Sequence, residues 1–430
     1  VRRENTCRDA EHLAKVFHSD AFGLRREKYS LLDRSDVCKT EWRAVRPAAP
    51  TYLFLAQDAG LLKEYESGWS LRDVFSPNGD PAPGIVTTHD EFAISWNAEE
   101  AADKVERLLA TATEAEAREQ FKLCSTTQWN YARAKAELAD NAWRERIVPI
   151  LYRPFDVRWT VYDRNVAVHR RERASENMLF PNFALCTTRA TEISRGWEHA
   201  WIANGLIQHH TVSIKEVNYL FPLWLYPTDA SADLLDTSPR EKRANLSAEF
   251  VTALTDAIGA TPSPEDTLAY IYAVLYAPSY RARYADFLKR DFPRIPLTTH
   301  RALFDALVGI GRELIALHVM DTVLPRITTF DVPGDNTVDK VRWAPDAEGT
   351  TGRVYINAEQ CFGKVPAAVW DMHIGGYRVA EKWLKDRKGR PLTYDDLTHY
   401  QSVIAALART LELQESIDAA IDDAGGWPLT

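Results

Sequence analysis

Cysteine is scarce and badly placed for structural work. The five residues, Cys7, Cys38, Cys124, Cys186 and Cys361, lie far apart, and no pair has CxxC spacing. That pattern excludes a zinc ribbon and points to a reduced, cytoplasmic protein. No apolar run approaches the length of a membrane span, and the first residues do not read as a signal peptide, so no membrane partner is expected. Nucleotide loops and common catalytic signatures are missing too. There is no GxxxxGK[ST] loop, no GxGxxG turn after a strand, and no HExxH, GxSxG or EF-hand pattern, so chemistry by those routes is not expected. The Asn/Asp-Pro-Pro-Tyr/Phe tetrapeptide that holds a flipped adenine in amino-methyltransferases is likewise absent. Positive charge is in deficit: Lys and Arg number 52 against 61 Asp and Glu, a net charge of -9. A protein held to DNA by charge alone would be basic.

What is present describes a folded chain. It has 430 residues, 45% of them hydrophobic and 11% aromatic, enough for two or three domains with a sizeable core. Thirteen tryptophans suit core or interface anchors. The first residue is Val1, not Met, and the expectation is a piece of a longer polypeptide whose catalytic parts lie upstream.

Patterning predicts an α+β fold: a central mixed or antiparallel β-rich domain, a helical N-terminal segment and a helical C-terminal part. The expected divisions are 1–146, mostly helical; 147–330, β-rich and then helical; and 331–430, a strand pair followed by helices. Within the first, 1–28 reads as helix, 52–55 as a buried strand, 76–84 as a turn or linker, 85–96 as strand, turn, strand, and 99–137 as one or two acidic, solvated helices. Strands are expected at 148–152, 158–162, 184–188, 200–203 and 219–226. Helix follows over 246–276, with Ser263 as cap and Pro264 in the first position, and over 279–289. Thr299 is the expected cap of a long helix whose Leu303, Phe304, Leu307, Val308, Leu314 and Ile315 form one stripe. Segments 341–343 and 353–356 read as a hairpin, 377–387 as an amphipathic helix, and Thr393 with Asp396 as a capping box.

The most informative stretch is Tyr152-Arg153-Pro154-Phe155-Asp156-Val157-Arg158-Trp159, followed by Arg-rich, aromatic sequence to Arg173. Guanidinium groups pair with phosphates and guanine edges, so basic residues on charged loops of a sheet fit a shaped DNA surface. Three basic islands are visible. The first runs from Arg153 to Arg173 and holds Arg158, Arg164, His169, Arg170 and Arg171, with Arg189 and Arg195 beyond it. The second contains Arg281, Arg283, Lys289, Arg290 and Arg294. The third contains Arg378, Lys382, Lys385, Arg387, Lys388 and Arg390. The bland alternative for each is a solvated helix face or an internal salt-bridge set. The candidate DNA-binding residues are Arg158, Arg164, Asn165, His169, Arg170, Arg171, Arg173, Arg189, Gln208 and His209, then Arg281, Arg283, Lys382 and Lys385. Arg153 and Asp156 have the spacing of a pair that fixes a turn. His199, His209 and His210 could meet a metal, but lack a Cys or acid at ligand spacing, so surface or DNA-facing roles are preferred. Asp346 with the Asp386-Arg387-Lys388 run offers a faint acid-x-Lys nuclease pattern, for which solvated charge is the better reading.

Several stretches together resemble one family: 152–159, 218–223 (NYLFPL), 270–278 (YIYAVLYAP) with 280–284 (YRARY), 291–297 (DFPRIPL), and 375–377 through 383–390 (WLKDRKGR). Over most of its length the chain resembles the C-terminal target-recognition, or specificity, region of type ISP restriction-modification enzymes and related adenine-specific DNA methylases of phage defence. The resemblance implies a non-catalytic module that reads double-stranded DNA beside the methyltransferase domain of the same polypeptide. It implies no cofactor in this fragment; S-adenosylmethionine, and in some relatives ATP with magnesium, would belong to the parent. A protein-interaction scaffold and a metal-dependent nuclease remain as alternatives.

Overall fold

The computed structural model describes residues 15–47, 52, 54, 58–75, 81–192, 195–227 and 241–429. The chain forms two compact units, Val1–Glu64 and Tyr65–Thr430. In the first, strand Val16–His18 pairs antiparallel with Arg43–Val45, and helix Arg25–Arg34 buries none of its residues. The helix expected over 1–28 is therefore corrected at 16–18; residues 1–14 lie outside the described set. Val16 and Phe17 are good strand formers, but the pairing that recruits them comes from Ala44 and Val45, far along the chain. Tyr52 and Phe54 are exposed and in no strand, against the expected buried one; Leu53 and Leu55 are outside the described residues.

In the second unit, three helices come before the main sheets: Ala98–Ala110, Glu114–Phe121 and Tyr131–Glu137. Asn97, Thr113 and Asn130 cap them by accepting the backbone N–H three residues on, which satisfies a donor the helix cannot use. These helices are not merely solvated. Val105, Leu108, Ala117, Phe121 and Ala134 share a core with Phe92, Trp129, Trp143, Val161 and Val166. The strand-turn-strand expected over 85–96 is reduced to single bridges at Ile85, Val86 and Ser95 around a helical turn, Asp90–Ala93. Of the expected linker, 76–80 lies outside the described residues, while Ala82–Pro83 is an edge strand.

Two sheets follow. The larger is antiparallel, in the order Ala82–Pro83, Asn218–Pro222, Ala184–Thr188, Ala200–Ala203. The other pairs Ile147–Arg153 antiparallel with Asp156–Val161 and, on its far side, parallel with Leu206–Ile207. Pro154 and Phe155 turn the hairpin, and Phe155 adopts a left-handed φ of 61°, unusual for a bulky residue. Its ring is buried on Trp201, centroids 4.8 Å apart. Trp201 in turn stacks on His318 at 4.5 Å. This aromatic column joins the sheets to the helical part.

The helical part is built on Pro264–Tyr276, in which every residue from Thr267 to Tyr276 is buried. Ser263 caps it and Pro264 stands in the first turn, as expected. Arg301–His318 packs alongside, entered from His300 rather than Thr299. Tyr394–Asp423, with the Thr393–Asp396 capping box, runs 30 residues, a rod of about 45 Å. At Gly311 a Cβ would lie 2.0 Å from the carbonyl oxygen of Ala269 on the neighbouring helix. Gly311→Ala is thus expected to push the helices apart and cost about 1–3 kcal/mol, measured by urea denaturation. A cost near zero would mean that the helix pair is loose at this crossing.

The last part contains a three-stranded antiparallel sheet, Arg342–Pro345, Thr351–Tyr355 and Cys361–Pro366, one strand more than expected. Tyr377–Arg378 is not helical but pairs with His373–Ile374 across Gly375 and Gly376; the helix is Val379–Lys385. The glycines are needed here. Gly375 has φ 55°, and a Cβ on it would meet the carbonyl oxygen of Val212 at 2.0 Å. The whole is the α+β arrangement expected. Among the described residues no helix is long and apolar enough to cross a membrane.

Candidate nucleic-acid interface

Residues 163–173 form a loop whose backbone is firmly anchored. Asp163 accepts the Asn165 N–H at 2.8 Å, the Trp129 indole donates to the Asn165 carbonyl at 2.8 Å, and His89 Nε2 meets the Val166 carbonyl at 2.9 Å. Val166 and Ala167 are buried. His169 then exchanges both backbone hydrogen bonds with Val86 at 3.1 Å. Arg171 takes a left-handed φ of 54° and starts the short helix Glu172–Ser175. Such pinning reduces the entropy lost when side chains on the loop meet a ligand.

The consequence is a groove of about 540 Å³, walled by Arg164, His169, Arg170, Arg171 and Arg173 on one side and by Pro81, Ala82 and Pro83 on the other. Five of the fourteen sequence candidates therefore converge. Beside it lies a second hollow of about 410 Å³, which shares Arg164 and Arg170 and adds Arg146, Glu137, Asp140 and Asp163. Most of these cations are partnered. Arg164 grips Glu137 with Nη2 at 2.8 and 2.9 Å and Nε at 3.2 Å. Arg170 donates to Glu172 at 2.6 Å and lies over the Tyr162 ring, and Arg146 donates to Asp163 at 2.6 Å. Arg171 is exposed, with no carboxylate partner among the described residues.

The family model for the Type ISP C-terminal specificity domain matches residues 79–416. The chain belongs to that family. No curated protein matches it in sequence. Solved structures share its fold. They include the DrdV–DNA complex (TM-score 0.71, 21% identity, covering 94% of this chain and 43% of that one). A nuclease-deletion mutant of the Type ISP restriction-modification enzyme LlaGI with a DNA substrate mimic gives 0.67, 19%, 95% and 39%. The ATP-dependent Type ISP enzyme LlaBIII bound to DNA gives 0.66, 18%, 88% and 25%. This chain thus spans less than half the length of each.

The remaining candidates of this specificity domain sit elsewhere or point inward. Arg158 is corrected from an open contact to a buried one. It is 8% exposed, bonds Asp156 through Nε at 3.1 Å and Nη2 at 2.9 Å, and lies flat between Trp96 and Tyr152. Asp156 also takes Arg387 at 3.0 Å. Burial raises its pKa, but Arg387 and Arg158 outweigh burial and hold the carboxyl below its ordinary value. The expected Arg153–Asp156 pair is accordingly not formed. The two residues face each other across the hairpin, yet Arg153 donates to the side-chain oxygen of Gln208 at 3.1 Å. Asp156 shares a strand face with Arg158, and Arg158 and Arg387 together occupy both of its oxygens.

Asn165 and Gln208 are buried; Asn165 donates to Glu137 and Asp163, both at 2.9 Å. His199 is fully buried, which corrects its surface reading. His209 packs on His210 with ring centroids 3.6 Å apart, and burial pushes its pKa down to about 4, so it is neutral near pH 7. Among the described residues no three His, Cys, Asp or Glu groups could hold a metal, which removes the His199–His209–His210 site. Asp346 instead accepts the Thr351 hydroxyl at 2.9 Å, and Asp386 takes Lys382.

Arg189 pairs with Asp291 at 2.9 Å. Arg281 donates to the Leu275 carbonyl at 2.6 Å and lies over Tyr276, while Arg283 is exposed beside the Tyr284 ring. Lys382 and Lys385 pair with Asp386 and Glu381. The third island is thus largely an internal salt-bridge set. Sequence reasoning missed Arg146 and the groove carboxylates Glu137 and Glu172. Only their arrangement in space marks them.

Proposed function

We propose that this chain is the module that reads a double-stranded DNA target for a Type ISP restriction-modification enzyme, with no catalytic step of its own. The observation that carries this reading is the convergence of Arg164, His169, Arg170, Arg171 and Arg173 on one groove, in a chain whose net charge is -9. A local basic wall on an acidic protein suits a specific docking geometry rather than general attraction. Relatives of the same fold, DrdV, LlaGI and LlaBIII, are held on DNA or a DNA mimic, which supports it. In this reading Arg171 and Arg173 meet phosphates and base edges, and His169 hydrogen-bonds. Arg189 and Arg283 are secondary phosphate ligands. Arg158, Asn165 and Gln208 act by holding the loop and hairpin in shape. The parent polypeptide would supply adenine methylation, with S-adenosylmethionine bound outside this module, and an enzyme of this kind would work in the cytoplasm.

Replacing Arg170 and Arg171 together by Ala is expected to weaken binding of the cognate duplex by about 1–3 kcal/mol for each of the two that reads a base. It should also lower the salt slope by about 1 for each that meets a phosphate. A gel-shift titration in which the double variant binds as the parent chain does would remove the groove from the recognition surface.

A further inference from the structure

Three features compete for further meaning. The hollow between Ser263, Asp266, Arg301, Asp305 and Arg312 has each of its arginines already paired with a carboxylate and shows nothing aimed at a ligand. The His209–His210 stack is closed by Gln208 and Ser213. The groove itself carries an inference that rests on the DNA-reading proposal above and extends it.

We propose that Glu137 and Glu172 are specificity-determining carboxylates, which occupy Arg164 and Arg170 in place of phosphate until a duplex docks in register. The geometry is that of a stand-in ligand. Glu137 presents both carboxylate oxygens to Nη2 of Arg164 at 2.8 and 2.9 Å, and Nε follows at 3.2 Å. That is the edge of the guanidinium a phosphate would take. Glu172 holds Nη2 of Arg170 at 2.6 Å, whereas Nε of the same guanidinium is buried without a partner. Both arginines line both hollows of the groove.

Exposure decides what such pairs can do. The Arg164 and Glu137 side chains are 60% and 36% exposed, and in the second pair Glu172 is 53% exposed against 24% for Arg170. Ion pairs this open contribute little to stability and part easily. Asp163 is a different case. At 11% exposed, it holds both the backbone and the side chain of Asn165 and so serves the loop, whereas Glu137 takes only the Asn165 side chain. A duplex in the wrong register offers no compensation for parting Arg164 from Glu137. A duplex in the right register replaces each carboxylate by a phosphate. The acids therefore weaken non-specific binding more than specific binding, which is how discrimination is gained.

The test uses the full chain and a fluorescein-labelled duplex of arbitrary sequence, followed by anisotropy over a range of salt. Glu137→Gln with Glu172→Gln keeps shape and removes charge. This variant is expected to bind about 3-fold tighter per freed arginine at about 50 mM salt, with the salt slope steeper by about 0.9 per phosphate newly neutralised. In an Arg164→Ala background Glu137→Gln should have no effect, because its target is gone. Glu249→Gln, on the exposed start of helix Ala248–Ile258, should also have none. Unchanged or weaker binding by the double variant would overturn the proposal, and so would equal tightening by Glu249→Gln or a Glu137→Gln effect that survives without Arg164. In each of those cases the DNA-reading proposal stands if the unaltered chain binds duplex. If the unaltered chain binds none at any salt, that reading falls and this one with it.

Discussion

Asp156→Ala is expected to lower stability by about 3–5 kcal/mol, the usual cost of breaking a buried ion pair from one side. The carboxylate is 1% exposed and Arg387 is 6% exposed. Both neighbouring guanidiniums are fixed by aromatic faces. Arg158 lies 3.9 Å from the Trp96 ring, and Arg387 lies 3.4 Å from the ring of Trp383. Removing this buried anion leaves two cations close together with little water to screen them and, among the described residues, only Asp396 still paired with them, 3.6 Å from Nε of Arg387. Arg390, 3.7 Å over Trp96, adds a third cation. Asp156→Asn should cost less, because it keeps acceptor and shape. The measurement is the urea midpoint of each variant. A loss below about 1 kcal/mol, the range of exposed pairs, would show that the set is solvated after all.

Acid is expected to unfold this domain through its histidines before most carboxylates titrate. His318 is buried between the Tyr272 hydroxyl at 2.6 Å and the Thr410 hydroxyl at 3.0 Å, and burial pushes its pKa down from 6.5 to about 3. His199 goes the same way, to about 4. The native protein keeps both neutral, while the unfolded chain takes up protons near pH 6.5. Below that value the unfolded state binds more protons, so stability is complete above pH 6.5 and declines as pH falls toward the native pKa values. Each unit of depression corresponds to about 1.4 kcal/mol, so the loss for His318 alone amounts to several kcal/mol. His318→Gln, compared with the parent chain by urea denaturation at several pH values, should flatten the profile between about pH 6.5 and 5, where few carboxylates titrate. Superimposable profiles would mean that His318 is not shielded from protons.

Much of this architecture was legible because it is written locally. Strands Ala184–Thr188 and Ala200–Ala203 match their expected bounds, since β-branched and aromatic residues bordered by breakers leave little choice. Ser263-Pro264 and the Thr393–Asp396 box are signals contained within one turn. The family resemblance was legible as well, and the match over 79–416 bears it out. What escaped depends on partners distant in sequence. Val16–His18 becomes a strand through Arg43–Val45. Tyr377–Arg378 leaves the helix because Gly375 must turn closely against Val212; the glycine pair was itself a readable hairpin signal. At the groove, the run 164–173 was readable as a basic loop, but not which arginines face outward. Arg158 looks like its neighbours until Asp156 and Trp96 close around it.

The bond between Asp156 and Arg387 spans 231 residues, and this has a bearing on biosynthesis. At about 5–20 residues per second, the ribosome releases the hairpin well before the second guanidinium that binds Asp156. During that interval Asp156 has Arg158 but lacks its second guanidinium, and the hairpin is not yet tied to the later segment. Completion waits for Arg387, so a transcript cut short before it should yield chains that are captured by chaperones or degraded, rather than a smaller working reader.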